Sequence, residues 1–184
     1  MPDPKSIKAG DVVAVSKYLG IEGTSIIAHD KDDVSEILSE EELKFAKSLA
    51  DDISVLREAR LATKYGVKHM HDITEGGLYG ALWETGVALG HGLRAYYEEI
   101  PLLDETKKIA EFYGIDPMRL ISSGSMLMIF DKDKFIDFKD EADKRGIKIT
   151  KIGEVIDDKI TEVIVGDEVK SLSEPGSDEL YKVV

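Results

Sequence analysis

The sequence predicts a three-layer α/β/α domain built on one mixed β-sheet. Short apolar runs such as Val12–Val15 and Ser125–Phe130 are typical of buried strands. Stretches with apolar residues at helical spacing separate these runs, and two late apolar runs, Ile147–Ile152 and Ile160–Val165, predict a closing strand pair. Strands that alternate with helices indicate a sheet covered by helices on both faces.

Caps and glycines mark the predicted element boundaries. Ser39 followed by Glu42 is a capping-box pattern, Asp116-Pro117 is a favoured helix start, and Gly66 is a typical helix stop. In chain order, the predicted helices cover residues 24–29, 40–53, 56–65, 76–89, 101–113 and 135–145. The predicted strands cover residues 12–15, 67–71, 93–97, 125–130, 147–152 and 160–165.

Length and composition fit one domain. Of the 184 residues, 42% are hydrophobic, which is enough to build a single core. We assign residues 1–10 to an N-terminal lead-in, residues 11–166 to the domain, and residues 167–184 to a polar C-terminal tail, in which we predict residues 173–178 to be loop.

Charge and composition exclude several classes of protein. The net charge is 24 − 37 = −13 and no basic stripe is present, so we expect no binding to nucleic acid. No apolar run is long enough to span a membrane, and the first residues lack the apolar core of a secretion signal. We therefore expect a cytoplasmic protein. The absence of cysteine excludes disulfides and thiolate chemistry.

The segment 71–78 joins a predicted strand to a predicted helix and contains the glycine pair Gly76 and Gly77. The first amides of a helix have no partner within the helix and lie at the positive end of its dipole. A phosphate or carboxylate is therefore expected to bind there. Thr74 is placed to cap the helix or to contact the anion, and Asp72 to hold a Mg²⁺ ion that accompanies a phosphate.

A structural turn is the alternative interpretation of this segment, because glycines also allow a tight passage from strand to helix. Two further glycine loops, one with Gly20 and Gly23 and one with Gly124, are each typical of turns as well. Three such loops in one domain nevertheless indicate that backbone N–H groups from several loops point towards one place. A polyanion binds best where several such donors are close together.

A metal-dependent hydrolase is a further alternative. His69 and His71 lie two residues apart on a predicted strand, so their side chains face the same side. Zinc needs three or four protein ligands, and neither His29 nor His91 has a clear reason to join them. This alternative requires stoichiometric zinc in the purified protein.

The motifs together resemble a known family. Residues 71–78 match His-Asp-x-Thr-x-Gly-Gly-Leu throughout, and residues 114–117, Gly-Ile-Asp-Pro, are followed shortly by Ser123-Gly124. With Gly20 to Gly23 as the opening glycine loop, roughly residues 10–165 resemble the C-terminal domain of the aminoimidazole-ribonucleotide (AIR) synthase superfamily. The hydrogenase-maturation branch of that superfamily is the most similar, and thiamine-monophosphate kinase is another member.

This resemblance implies an α/β/α fold with partial ferredoxin-like topology in one half of an enzyme that depends on ATP and Mg²⁺. An N-terminal domain, in cis or in trans, would supply the nucleotide site and the homodimer contact. The present domain would bind a small anionic substrate, and Gly77→Asp would abolish activity of the complete enzyme while the domain stays folded. By motif match, the substrate- or phosphate-binding residues are His71, Asp72, Thr74, Gly76, Gly77, Gly20, Gly23 and Gly124; no catalytic residue is assigned.

Three departures from the family pattern keep another function open. The sequence lacks the N-terminal nucleotide domain, so we expect a truncated piece or a separately encoded half that is inactive alone. Hydrogenase-maturation enzymes carry their reacting group on a C-terminal cysteine, whereas this chain ends in Val184, and Glu22 replaces a common histidine of the opening loop. The alternative is a non-catalytic binding or assembly module that retains the fold.

Overall fold

Seven strands form one mixed sheet in the part of the chain that the structure describes. The computed structural model describes residues 4–184, so residues 1–3 of the predicted lead-in lie outside it. The strands are β1 (Val12–Ser16), β2 (His69–Ile73), β3 (Gly92–Tyr96), β4 (Ser125–Phe130), β5 (Ile149–Ile156), β6 (Glu162–Val165) and β7 (Glu168–Ser171). The α-helices are α1 (Ile21–Asp30), α2 (Glu40–Ser48), α3 (Leu56–Lys64), α4 (Gly77–Leu89), α5 (Asp104–Tyr113) and α6 (Lys132–Lys144).

The strand order across the sheet is β2-β4-β1-β5-β3-β6-β7. Strands β3 and β6 are parallel and the other neighbours are antiparallel, so the sheet is mixed as predicted. The predicted closing strand pair is wrong, because β3 lies between β5 and β6 and is hydrogen-bonded to both. The connection between β5 and β6 passes the start of β3, where the Gly92 N–H donates to the Asp158 carbonyl at 2.5 Å.

Alternating side chains of the strands build a core on each face of the sheet. Val13 and Val15 of β1 pack in one core with Leu82 of α4. Val12 and Ala14 of the same strand pack in the other core, together with residues of α3 and α6. Helix α4 is therefore one outer layer and α3 with α6 the other, which confirms the predicted three-layer α/β/α class.

The helix caps agree with the sequence better than the helix lengths do. Ser39 and Glu42 form the predicted capping box at the start of α2, with the Ser39 N–H donating to the Glu42 carboxylate at 2.9 Å. Helix α2 ends at Ser48 rather than at Ile53, because the next residues tighten into a 3₁₀ turn. Among the described residues, no helix is both long and apolar enough to cross a membrane.

The C-terminal tail contains a strand and a 3₁₀ turn, and the predicted loop at residues 173–178 lies between them, outside helices and strands. Strand β7 pairs with β6 through a tight turn at Gly166 and Asp167. A 3₁₀ turn follows at Glu179–Lys182. Leu180, which is 9% exposed, packs into a third apolar cluster formed by α1, α2 and α5. This apolar anchor brings the tail back across the molecule towards the start of α4.

Candidate functional site

The predicted anion site lies at the edge of the sheet, between β2 and α4. We call residues 71–77 the β2–α4 corner. Strand β2 is an edge strand, and α4 begins directly after Gly76. Gly76 and Gly77 have φ angles of 77° and 59°, a region that residues with a Cβ rarely adopt. The chain can therefore turn from strand to helix within a few residues only because both positions are glycine.

Gly77 also allows a close contact between α4 and a neighbouring segment. A Cβ atom at Gly77 would lie 2.6 Å from the Met118 carbonyl oxygen and 2.8 Å from that of Leu120. Both oxygens belong to the backbone, which cannot move aside as a side chain can. We therefore expect Gly77→Asp to destabilise the domain, so a loss of activity in that variant would not by itself identify an anion site.

The Gly76 amide at the start of α4 is already bonded to a negatively charged group, which is a carboxylate of the chain itself. The Gly76 N–H donates to the Asp178 carboxylate of the tail at 2.7 Å. The same carboxylate accepts from the amides of Ile121 at 3.1 Å and Leu180 at 2.9 Å. Asp178 is only 4% exposed. Another anion reaches the Gly76 amide only if Asp178 moves away.

Thr74 and Glu75 are exposed residues of the corner. The side chain of Thr74 does not cap α4; instead its carbonyl accepts from the Gly77 N–H at 3.1 Å. Glu75 accepts a hydrogen bond from the Tyr181 hydroxyl at 2.7 Å, which is a second contact between the corner and the tail. The Thr74 hydroxyl is thus left facing solvent at the mouth of the corner.

His71 and Asp72 lie on opposite faces of β2, because side chains alternate along a strand. His71 Nε2 bonds the Glu84 carboxylate of α4 at 2.8 Å, whereas Asp72 is exposed. No group of three or more His, Asp or Glu residues within residues 4–184 is arranged to hold a metal ion. Within these residues, His69 and His71 therefore have no third ligand with which to form the zinc site of a metal-dependent hydrolase.

His69 lies beside His71 with an unsatisfied ring nitrogen. Its Nε2 is buried and has no hydrogen-bond partner in the part of the chain described. Burial lowers the pKa of His69 below its usual 6.5, and the neighbouring His71, whose ring centroid is 6.5 Å away, lowers it further. The fold therefore favours the neutral form of His69.

We expect the neutral His69 to make the folded protein less stable in acid. Below about pH 6.5 the unfolded chain binds a proton at His69 that the folded chain does not, so the free energy of unfolding falls with falling pH. Denaturant unfolding of His69→Gln between about pH 5 and 7 should show a smaller pH slope than the unsubstituted chain. A His69 ring that titrates at or above about pH 6.5 by NMR would contradict this.

The other two predicted glycine loops converge on the segment 118–125 rather than on an open site. The Gly20 N–H donates to Ser122 Oγ at 2.8 Å. A Cβ at Gly23 would collide with the Leu120 side chain, and one at Gly124 would lie 2.7 Å from Ile21. These glycines allow close packing, and the N–H groups of Gly20 and Gly23 are bonded within the chain.

Two residues outside the predicted site, Asp178 and Glu22, hold this region together. Asp178 binds the corner, as described, and Glu22 accepts from the Ser123 N–H at 3.2 Å. Asp178 carries one local signal, since Asp before a helical turn is a typical N-cap and its carboxylate does accept from the Leu180 N–H. Nothing in the sequence near Asp178 points to Gly76.

A mixed sheet between two helix layers, with glycine-rich passages from strand to helix, defines the class of three-layer α/β domains. The chain belongs to one family of this class. The family model described as AIR synthase related protein, C-terminal domain, matches residues 8–166, so the predicted family is confirmed.

Individual proteins of known structure or function are similar to this chain. Carbamoyl dehydratase HypE of Cupriavidus necator is 26% identical over 162 residues, which is 85% of this chain and 43% of that protein. The crystal structure of Escherichia coli HypE, a hydrogenase maturation protein, covers 100% of this chain with 55% of its own, at a TM-score of 0.80 and 21% identity. A HypE structure in complex with ATP has a TM-score of 0.74 at 16% identity, again over 100% of this chain and 55% of its own. The chain thus spans less than half the length of the curated relative, and the structural likeness shows a shared fold.

Proposed function

We propose that this chain is the C-terminal part of an ATP-dependent enzyme and that the β2–α4 corner binds its anionic substrate. The observation that carries the proposal is the Asp178 carboxylate on the Gly76 amide, because it marks a place where this acidic molecule stabilises negatively charged oxygen. The family match and the likeness to an ATP-bound HypE support the ATP dependence. An N-terminal AIR synthase-type domain, in cis or in trans, would complete a homodimeric enzyme.

The exposed residues of the corner would act by binding and positioning. ATP, when bound with Mg²⁺, supplies a phosphoryl group that activates an oxygen for displacement. Asp72 would provide one carboxylate ligand for the ion, as Mg²⁺ commonly takes one or two carboxylates beside phosphate oxygens. The Thr74 hydroxyl would donate to a substrate oxygen, and Glu84 would hold the His71 ring in place through its 2.8 Å bond to Nε2. Positioning and charge stabilisation would supply the catalysis.

The substrate would replace the carboxylate of the tail at the Gly76 amide. Gly76, Gly77, Gly20, Gly23 and Gly124 would then serve the site by shaping the backbone, since their close contacts leave no space for a side chain at most of these positions. In this proposal, Asp178 occupies the anion position until the substrate arrives.

We expect Asp72→Asn to lower Mg²⁺-dependent ATP turnover by about tenfold or more in a protein that joins this chain to an N-terminal AIR synthase-type domain. Because Asp72 is exposed, thermal stability should stay unchanged. The matched control is Asp140→Asn, which removes an exposed carboxylate on α6 and should leave turnover unchanged. Equal turnover in the two variants would remove Asp72 from the site.

A non-catalytic binding or assembly module is the second candidate function, and the burial of Asp178 favours it. If the tail carboxylate never leaves, the corner has no vacant donor for a substrate. The substitution Asp178→Asn removes the negative charge that accepts the hydrogen bond from the Gly76 N–H and keeps the size of the side chain. If neither the unsubstituted joined protein nor its Asp178→Asn variant hydrolyses ATP, the module is the better description; turnover in either form supports the enzyme.

A further inference from the structure

A cationic cavity lies on the face of the sheet opposite α4. It has a volume of about 500 Å³ and lies between α3 and the segment that follows α6. Four of its lining side chains are the cations Arg57, Arg60, Lys64 and Arg145. Cavities of this size are typical of small-molecule sites.

The charge of this cavity is unusual for the molecule. The chain carries a net charge of −13, yet the cavity has no carboxylate in its lining. Other cavities of similar size are lined by acidic residues, including Glu98 and Glu99 in one case and Glu154 with Asp157 in another. The cationic cavity is therefore a local positive region on a negative surface, which attracts anions.

Most of these cations are not neutralised by the protein. Arg145 is ion-paired with Glu141, and Arg57 donates to the Arg145 carbonyl at 3.3 Å. The side chains of Arg60 and Lys64 make no hydrogen bond or ion pair with residues 4–184. Guanidinium and ammonium groups without internal partners are available to an external anion.

Helix stability does not account for the arrangement. Lys64 and Arg145 lie at helix C-termini, where cations are favourable. Arg57, however, lies in the first turn of α3, at the positive end of the helix dipole, where a cation is unfavourable. Arg60 lies one turn further on, on the same side. The helix dipole therefore accounts for the positions of Lys64 and Arg145 but not for that of Arg57.

We propose that this cavity binds a small organic phosphate. The planar guanidinium groups of Arg57 and Arg60 match the oxygens of a phosphate group, and Lys64 adds a third donor. The floor consists of the buried Leu61 and Ile147, which suits the apolar body of such a ligand. The cavity lies on the other face of the sheet from the β2–α4 corner. Phosphate binding in the cavity can therefore be tested independently of the proposed ATP chemistry.

Phenyl phosphate is a suitable probe, titrated into the full 184-residue chain and followed by two-dimensional NMR. We expect saturable shifts in the signals of residues 56–64 and 145–147. Phenyl phosphate should bind at least about fivefold more tightly than inorganic phosphate because of the apolar floor. The double variant R60A/K64A should weaken binding at least about tenfold. The control double variant K132A/K134A removes two exposed lysines at the far end of α6 and should leave binding unchanged.

Three outcomes would overturn the proposal. Shifts that appear only at the β2–α4 corner would place the anion elsewhere. Equal weakening by R60A/K64A and K132A/K134A would mean a general effect of net charge. Displacement of phenyl phosphate by a polyglutamate peptide at lower concentration would assign the cavity to an acidic protein partner instead.

Discussion

Replacing Gly77 with alanine is expected to lower the free energy of unfolding by about 2–5 kcal/mol. The left-handed backbone of Gly77, with φ at 59°, accounts for about 1–2 kcal/mol of this once a Cβ is present. The approach of that Cβ to the carbonyl oxygens of Met118 and Leu120 adds about 1–3 kcal/mol, as overpacking does in cores. Urea unfolding at neutral pH measures the change.

Gly114→Ala is the matched control for this variant. Gly114 has a similar φ of 63°, but no atom lies within 4 Å of the position that its Cβ would take. The control should therefore cost only the backbone part, about 1–2 kcal/mol. If Gly77→Ala were no more destabilising than Gly114→Ala, the close contact between α4 and the segment 118–120 would not exist in solution.

Replacing Asp178 with alanine is expected to lower the free energy of unfolding by about 2–4 kcal/mol. Three amides lose a charged acceptor at once, and hydrogen bonds to charged groups each contribute about 1.5–3 kcal/mol before water replaces part of the loss. For a domain of this length, the midpoint of thermal unfolding should fall by about 5–15 °C.

Glu174→Ala is the control, because Glu174 is an exposed acidic residue of the same tail and its replacement should leave the midpoint unchanged. Hydrogen exchange distinguishes the mechanism from a general loosening. The Gly76 amide should exchange much faster in Asp178→Ala, whereas amides in the centre of β4 should follow only the change in global stability. An unchanged Gly76 amide would refute the direct bond to Asp178.

The sequence predicts the order of elements well, because those signals depend on near neighbours. The apolar run Ser125–Phe130 is strand β4 at the same boundaries, and Asp116 caps the turn at Pro117 as expected. The capping box of α2 is likewise present. Each of these features is set by residues within one helical turn or one strand.

Long-range partners are much harder to predict. The position of β3 between β5 and β6 depends on how the whole sheet assembles, and no local pattern contains that order. One strand pairing does have a local signal, since Gly166-Asp167 between two short strands is typical of a hairpin. It predicts the pairing of β6 with β7 that the structure contains. The sequence predicts the glycines of the β2–α4 corner, but it does not predict that the Asp178 carboxylate binds the Gly76 amide there.

The bond between Gly76 and Asp178 joins residues 102 positions apart, which constrains how the protein matures on the ribosome. Helix α4 emerges while the acidic residue that completes its first turn has still to be translated. The nascent chain thus carries an open amide at Gly76 until Asp178 has emerged as well. The emergence of Asp178, rather than the appearance of the helix, is the event that closes this part of the fold.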